Sequence, residues 1–305
     1  MPLSRLHRAR LAVVAAAVLF STGGVAIKAC SLTGWQVASF RSGIAAVFLY
    51  LALPSARKIG GWRNAVVGLA YAATMVLFAV ANKQTTAANA IFLQSTSPLY
   101  LVLLSPLLLR EPIRRRDLPV VLAIAGGLAL FFVGLPPTQD TAPRPLLGNV
   151  LGATTGVTWA FTLLGLRWLS RDGNQGGGLS AVVVGNAIAC GLALPMALST
   201  EASPSSFDLL LLAHLGVVQI GLAYILLTRG FRDVPAFEVS LLIVLEPTLN
   251  PVWTWLLHRE NPGRLGLLGG AIILAASTFK SWLDTRRLTR RGTQPEGPPE
   301  LSSDR

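Results

Sequence analysis

Charged residues are scarce in this chain of 305 amino acids, because Asp, Glu, Lys and Arg together make up only 13% of it. A soluble chain of this length needs far more polar surface, so the scarcity argues against a soluble class. Histidine occurs three times and cysteine twice, with Cys30 and Cys190 far apart in or beside apolar segments. These residues give little support for a disulfide framework or a clustered catalytic centre. We therefore expect no metal, no cofactor and no enzymatic activity.

Two sequence patterns are also missing. The phosphate-binding motif G-x-x-x-x-G-K-S/T, which an ATP-driven pump needs, does not occur. Nor does the chain show the alternating segments of about ten residues that are typical of membrane β-barrels. The net charge of +12 could suit nucleic acid, but the basic residues lie between apolar runs rather than along one polar face. We expect no nucleic-acid partner.

Long apolar runs dominate what is present. Hydrophobic residues make up 52% of the chain, and the mean hydropathy is +0.57. Runs of about 20 such residues cross the hydrocarbon core of a bilayer as helices. The sequence therefore predicts an all-α polytopic membrane protein with ten transmembrane helices. The predicted spans are 11–27, 35–53, 65–80, 86–109, 118–135, 146–166, 179–198, 209–227, 234–257 and 265–282.

Basic residues are distributed unequally between the two sides that these spans define. With both termini in the cytoplasm, most Lys and Arg residues fall inside, as the positive-inside rule requires. The outside segments hold Lys28, Lys83, Arg144, Arg259 and Arg264. This partition favours ten spans over nine, the alternative in which the third and fourth spans fuse at residues 82–84. We expect a bacterial inner (plasma) membrane protein with both termini in the cytoplasm.

The two ends of the chain are predicted to be cytoplasmic tails. Residues 1–10 carry three arginines before an apolar run and so imitate a signal peptide. Lys28 spoils a lipobox before Cys30, and nine further spans follow, so an uncleaved first helix is favoured over a cleaved signal. Residues 283–305 are polar and contain several prolines, and we expect them to be disordered.

An internal repeat relates the two halves of the chain. At one constant offset, Pro98 of the fourth span aligns with Pro247 of the ninth, and an Arg-Glu pair follows at 110–111 and 259–260. Five spans per repeat is an odd number, so the second copy must enter the membrane from the opposite face. Inverted repeats of this kind are a transporter architecture with its site near mid-membrane. The predicted repeats are residues 11–135 and 146–282.

Four segments resemble a known family. The stretch TTAANAIFLQSTSPLYLVLLSPLLLRE (85–111) resembles the fourth helix of EamA domains in the drug/metabolite transporter superfamily, and AFEVSLLIVLEPTLNPVWTWLLHRE (236–260) is similar to the ninth. LFSTGGVAIK (19–28) and SFRSG around Arg41 are similar to the first and second helices. The resemblance implies that helices one to four and six to nine surround a central cavity, with five and ten peripheral. It also implies export of amino acids or other small metabolites, in some members by exchange with protons.

The first span departs from one branch of that superfamily. Small multidrug pumps carry a membrane-embedded glutamate in their first helix, whereas span one of this chain contains no acid. The drug–proton exchange mechanism of those pumps is therefore not carried over to this sequence.

Charges inside the predicted spans are few. Only Glu238 and Glu246 are acidic there, and Arg41 is the only basic residue well inside a span. An intramembrane charge costs about 3 kcal/mol on insertion scales, so each needs a partner or a role. Glu246 is either a proton- or cation-responsive carboxylate facing the cavity or a structural group bonded to amides freed near Pro247. Arg41 either binds a substrate carboxylate or, as we favour, locks span two to a neighbour; Glu238 is expected at the interface.

Span four carries the clearest polar stripe of the sequence. Its members fall within about 100° of helical arc, and lipid would reject that face. We favour a cavity lining over simple packing for this stripe. It consists of Thr86, Asn89, Thr96, Ser97 and Tyr100. Pro98 and Pro247 each remove a helical hydrogen bond at matching positions, and paired breaks of this kind indicate a binding site.

Three further sets of residues are candidates for function or packing. Glu246, Asn250 and Trp253 share a face of span nine, and the repeat places Ser97 opposite Glu246. Trp159 either stacks on a substrate or packs between helices. His214 is expected to be a hydrogen-bonded packing residue. The run Gly148, Gly152 and Gly156 predicts close helix packing.

These features predict a secondary transporter, an exporter of small metabolites such as amino acids, working by alternating access across the inner membrane. Its expected partners are a small-molecule substrate, the lipid bilayer and, if exchange occurs, protons, and it is expected to be a monomer or homodimer. Because a polar cavity serves other classes as well, a facilitative channel-like permease and a non-transporting membrane protein are the alternatives.

Overall fold

The computed structural model of the chain describes residues 5–57, 61–108, 118–133, 140–171, 177–230 and 242–292. Within these ranges the protein is helical and contains no β-strand. The helices are α1 Arg5–Ala29, α2 Gly34–Ala52, α3 Trp62–Gln84, α4 Ala87–Gln94, α5 Ser97–Leu108, α6 Leu118–Val133, α7 Pro145–Arg171, α8 Gly177–Leu198, α9 Ser206–Ala213, α10 Ala223–Gly230, α11 Leu245–His258 and α12 Arg264–Gly292. A 3-10 turn, Pro54–Arg57, follows α2, and a π-helix, His214–Leu222, joins α9 to α10.

Helix length and composition match a membrane protein. The helices that are long and apolar enough to cross a bilayer are Arg5–Ala29, Trp62–Gln84, Pro145–Leu166, Gly178–Leu198 and Ser206–Leu227. Leu118–Val133 and Arg264–Phe279 are shorter apolar helices. The remaining predicted spans coincide with α2, with the interrupted pair α4 and α5, and with α11, whose predicted first residues, 234–241, lie outside the described ranges.

Two helices begin at complete capping boxes. At the start of α2 the Thr33 hydroxyl accepts the Gln36 backbone N–H, and the Gln36 side chain accepts the Thr33 N–H in return. Ser205 and Asp208 make the same reciprocal pair at the start of α9. Each box satisfies backbone donors that a helix start leaves open, so both helices begin at defined residues.

Helices α1 and α12 extend beyond the first and last predicted spans. Helix α1 begins at Arg5 rather than Leu11, because the intervening Arg, Leu, His and Ala residues include no helix breaker. Helix α12 continues to Gly292, beyond the predicted end at residue 282, since the sequence between them contains neither glycine nor proline. Residues 1–4 and 293–305 lie outside the described ranges.

The helix contacts repeat between the two halves of the chain. Helix α1 packs on α11 as α7 packs on α4, α3 packs on α7 as α10 packs on α1, and α2 packs on the π-helix as α8 packs on α3. Helix α2 also pairs with α8, and α6 pairs with α12. Exchanging the first five predicted spans with the last five maps each of these contacts onto another or onto itself. The packing therefore has the pattern of a two-fold pseudo-symmetric pair of repeats, with α6 and α12 together at one side.

Glycines on α7 allow a close approach to α4. A Cβ at Gly148 would lie 2.5 Å from the Cβ and the backbone N of Thr85, and a Cβ at Gly156 would lie 2.6 Å from Thr96 Oγ1. Gly152 faces Leu93 in the same contact. Only glycine fits these separations, so the predicted close packing of this glycine run is confirmed.

Candidate functional site

Arg41 lies in the middle of the bundle on α2 and is only 1% exposed. Its Nη2 donates to the carbonyl oxygen of Met75 on α3 at 2.9 Å, while its Nε has no hydrogen-bond partner. Within the described ranges no carboxylate forms an ion pair with it. The Met75 contact joins α2 to α3, as the favoured interpretation of Arg41 expects. It nevertheless leaves much of the guanidinium's donor capacity unused.

A pair of tyrosines borders this arginine. Tyr71 on α3 is the group that interacts electrostatically with Arg41, and its hydroxyl accepts a hydrogen bond from Asn186 Nδ2 at 3.2 Å. The Tyr71 ring packs edge-to-face on Tyr224 of α10, with ring centroids 6.3 Å apart. Tyr224 packs in turn on Phe20 of α1 at 5.2 Å. Aromatic rings from α1, α3 and α10 therefore meet beside the buried guanidinium.

Glu246 lies at the other end of the tyrosine pair. It is in the first turn of α11, close enough to Tyr224 for an electrostatic interaction. The side chain is surrounded by protein and yet remains partly accessible, which fits a group facing an internal space rather than lipid. Among the described residues none forms a hydrogen bond or ion pair with its carboxylate. The positive end of the α11 helix dipole lies beside it.

Trp159 of α7 packs against the hydrophobic cluster that contains Tyr71, and Met75 and Tyr224 pack against the same cluster. The structure thus brings together three residues that the sequence singled out, Arg41, Trp159 and Glu246, around two tyrosines that it did not. We call this set the central cluster; it consists of Arg41, Tyr71, Trp159, Asn186, Tyr224 and Glu246. A tyrosine or asparagine inside an apolar run needs a polar partner, and this was the signal by which the sequence could have shown the other members.

The polar stripe of span four packs against α7. Asn89 is 1% exposed, and its Nδ2 lies 3.3 Å from Asn149 Oδ1. Thr96 is fully buried and donates to the Leu93 carbonyl at 2.6 Å. Ser97 is also buried, and Tyr100 packs on a hydrophobic cluster. At these positions the stripe faces protein rather than lipid, but it forms helix contacts and not part of the central cluster.

Both predicted breaks coincide with irregular backbone. Helix α4 ends before Ser95 and Thr96, and α5 begins at Ser97, directly before Pro98. Helix α11 begins after a turn at Val244, shortly before Pro247. Ser97 and Glu246 therefore occupy equivalent positions just after the two interruptions, although no hydrogen bond joins them.

The remaining residues of span nine face α1. Trp253 Nε1 donates to Ser21 Oγ at 2.9 Å. Asn250 is buried against Gly24, and its Oδ1 has no hydrogen-bond partner. His214 opens the π-helix, and its Nε2 lies 3.0 Å from Thr22 Oγ1, a hydrogen-bonded packing role. Glu238 lies outside the described residues.

The sequence model of the EamA-like transporter family matches residues 7–133 and 146–282. The chain belongs to the EamA-like transporter family. The two matches confirm the resemblance seen at 85–111 and 236–260, and they give this EamA protein two copies of the repeat, close to the bounds that the sequence predicts. Membership of this family places the chain among membrane transporters.

Individual proteins are also similar to this EamA protein. The pseudopaline exporter CntI of Pseudomonas aeruginosa, in strains UCBPP-PA14 and PAO1, is 26% identical over 283 residues, which cover 90% of this chain and 96% of the relative. A protein of known crystal structure superposes with a TM-score of 0.60 at 20% identity, covering 92% of this chain and 98% of that one. At that identity the superposition supports the fold alone.

Proposed function

We propose that this EamA protein is a ten-helix secondary transporter that exports small zwitterionic metabolites, amino acids first, across the bacterial inner membrane. It works by alternating access and carries out no enzymatic step. The observation that carries this proposal is the pair of charges in the central cluster, a buried Arg41 and a half-buried Glu246. Arg41 and Glu246 lie at the two ends of the Tyr71–Tyr224 pair, and no ion pair in the described ranges neutralises either.

A zwitterion supplies both missing partners. Its carboxylate can accept the unused N–H groups of Arg41, whose planar guanidinium suits a bidentate contact. Its ammonium can approach the Glu246 carboxylate. A charge inside a membrane costs about 3 kcal/mol on insertion scales. A site that keeps two charges unpaired is therefore suited to a ligand that carries a partner for each of them.

The topology rests on the repeat and on the packing. The family match gives two repeats, the sequence predicts five spans in each, which is an odd number, and several of the largest helix contacts are related by two-fold pseudo-symmetry. Two such repeats in one chain must enter the bilayer from opposite faces, which is the arrangement that alternating access uses. The distribution of Lys and Arg supports cytoplasmic termini.

Proton exchange at Glu246 would couple transport to the proton gradient. One carboxylate cannot hold a proton and a substrate ammonium at the same time, so binding of one releases the other. This role does not need an acid in the first helix, where the chain has none. The direction of transport is supported by the similarity to the pseudopaline exporter.

The proposal is tested in proteoliposomes loaded with a mixture of the standard amino acids, with and without a pH gradient. We expect saturable efflux that the gradient accelerates. Glu246→Gln should abolish the gradient dependence and lower efflux about tenfold or more, because a charge-assisted hydrogen bond contributes about 1.5–3 kcal/mol. Glu201→Gln, at an exposed position between α8 and α9, is the matched control and should behave as wild type.

Each other outcome has a definite meaning. Efflux that is unchanged in Glu246→Gln would make Glu246 structural. Flux that rises linearly with concentration and shows no counterflow would favour a channel-like permease over a carrier. Absence of efflux for every amino acid would contradict the proposed substrate class.

A further inference from the structure

A second pair of buried charges lies at one end of the bundle. Lys28 Nζ is 3.0 Å from Glu260 Oε1, and the two side chains are 2% and 1% exposed. Lys28 is in the last turn of α1, and Glu260 is in the link between α11 and α12. The distribution of Lys and Arg predicts that this end of the bundle faces outside.

Lys28 binds three separate segments of the chain. Besides Glu260, its Nζ donates to the carbonyl oxygen of Thr85, at 2.7 Å, and to that of Thr141. Thr85 lies between α3 and α4, and Thr141 lies shortly before α7. Two of the three protons of this ammonium are donated to carbonyl oxygens, and the ion pair with Glu260 balances its charge.

Glu260 is held as firmly on its other oxygen. Its Oε2 accepts the backbone N–H of Ala87, the first residue of α4, at 2.9 Å. A carboxylate at a helix N-terminus and an ammonium at a helix C-terminus are each favoured by the helix dipole. Both charges of the pair therefore lie on the helix ends that complement them. We call Lys28, Glu260 and the three backbone groups at Thr85, Thr141 and Ala87 the outer cluster.

Neighbouring contacts close the same end. His258 Nε2 lies 3.0 Å from the Val25 carbonyl oxygen and so joins the end of α11 to α1. Lys83 donates to the carbonyl oxygen of Cys30, whose side chain is only 2% exposed. His258 thus ties the second repeat to the first at this end, as Glu260 does, while Lys83 joins the end of α3 to the segment after α1 within the first repeat.

Transport towards the outside requires these helix ends to separate. Lys28 and Ala87 belong to the first repeat and Glu260 to the second, so the ion pair crosses the boundary between the repeats. A buried ion pair gives little net stabilisation, because desolvation offsets most of the attraction. When opening admits water, both ions are hydrated again. Parting an apolar plug of similar size would instead expose apolar surface to water, at about 25 cal/mol for each Å².

We infer that Lys28 and Glu260 form a reversible latch that closes the outer end of the transport path and parts when that end opens. This inference rests on the proposed function, since a latch has a purpose only in a protein that alternates between two open states. It assigns the ion pair a conformational role in addition to its structural one.

Cys30 offers a native reporter of opening, two residues beyond Lys28. Burial raises the pKa of its thiol to about 11, so the buried thiol holds little reactive thiolate at neutral pH. In a Cys190→Ser background we would measure how fast a membrane-impermeant maleimide labels Cys30 from outside the cell. Lys28→Met and Glu260→Gln should each raise the labelling rate about tenfold, the equivalent of about 1.4 kcal/mol in favour of the open end.

Two further variants keep the experiment decisive. Arg264→Gln removes an exposed cation at the same end of the bundle and should label as slowly as the parent. The charge exchange Lys28→Glu with Glu260→Lys should restore part of the slow labelling. If Lys28→Met does not fold, Glu260→Gln tests the latch alone, because glutamine keeps the side-chain size and can still accept the Ala87 N–H.

Labelling at the parental rate in both single variants would overturn the latch, and labelling only from the cytoplasmic side would overturn its outer position. The readout needs no substrate, so its failure is separate from a failure of the proposed function. If the protein exports amino acids but Cys30 is labelled at the parental rate in both variants, only the latch is contradicted. If the protein exports no amino acid but Cys30 is labelled faster in both variants, the latch is supported and only the proposed substrate class is contradicted.

Discussion

The outer cluster and the central cluster each contain one cation and one anion, but only the outer cluster pairs them. Lys28 and Glu260 are 3.0 Å apart and have three further backbone partners, at Thr85, Thr141 and Ala87. Arg41 has one carbonyl partner, and the Glu246 carboxylate has no hydrogen-bond or ion-pair partner within the described ranges. A charge that the protein itself neutralises holds helices together. One that the protein leaves open can bind a ligand.

Removing the cation should therefore have opposite effects in the two clusters. Lys28→Met leaves Glu260 buried without its counter-ion, and we expect the free energy of unfolding to fall by about 3–5 kcal/mol. Arg41→Met removes a charge that no carboxylate of the described residues neutralises, so stability should be unchanged or higher while transport is lost. Thermal unfolding in detergent, together with efflux from proteoliposomes, measures both quantities.

A double variant that removes both charges of the outer cluster is the control for this comparison. Lys28→Met with Glu260→Gln should recover part of the stability lost by the single change, because no isolated charge is left behind. Strictly additive losses would mean that the two side chains do not interact as the structure places them. If Arg41→Met lowered the free energy of unfolding as much as Lys28→Met does, the proposed difference between the two clusters would be contradicted.

A smaller effect is expected from the helix contact that supports the outer cluster. Gly148 faces Thr85, whose carbonyl oxygen accepts from Lys28, and a Cβ there would lie 2.5 Å from Thr85. Gly148→Ala should lower the free energy of unfolding by about 1–3 kcal/mol through overpacking and should also speed Cys30 labelling. The central cluster is not in this contact, so the choice of substrate should not change.

Gly191→Ala is the matched control, because a Cβ at Gly191 meets no atom within 4 Å in the described part of the chain. It should leave stability and labelling close to those of wild type. If Gly148→Ala were as mild as this control, the close approach of α7 to the segment around Thr85 would be incorrect.

The features of this chain that are local or repeated in sequence were the most predictable. Apolar runs located the helices, and Pro98 and Pro247 marked the two interruptions because a proline removes a hydrogen bond wherever the rest of the chain lies. Helices α1 and α12 extend beyond the predicted spans, to Arg5 and past Trp282, because the residues there still favour a helix. Hydropathy shows which residues favour the membrane, but it does not show where a helix begins or ends outside it.

The sites depended on contacts that are distant in sequence. Arg41 and Glu246 stood out as rare intramembrane charges, but their placement around Tyr71 and Tyr224 required the packing of α2, α3, α10 and α11. Likewise, nothing local indicates that Lys28 meets Glu260, which closes a loop spanning most of the chain. A polar stripe such as that containing Asn89 shows that a face avoids lipid, but it does not show whether water or another helix covers it.

The most direct test of the account compares transport of a zwitterion with transport of its two half-charged analogues. Proteoliposomes would be given the best-carried amino acid, the amine that lacks its carboxylate and the acid that lacks its ammonium. We expect wild type to prefer the zwitterion about tenfold or more, since each charge-assisted contact contributes about 1.5–3 kcal/mol. Arg41→Met should lose the discrimination against the amine, and Glu246→Gln that against the acid. Equal transport of all three molecules by wild type would contradict the claim that the central cluster holds its charges open for the substrate.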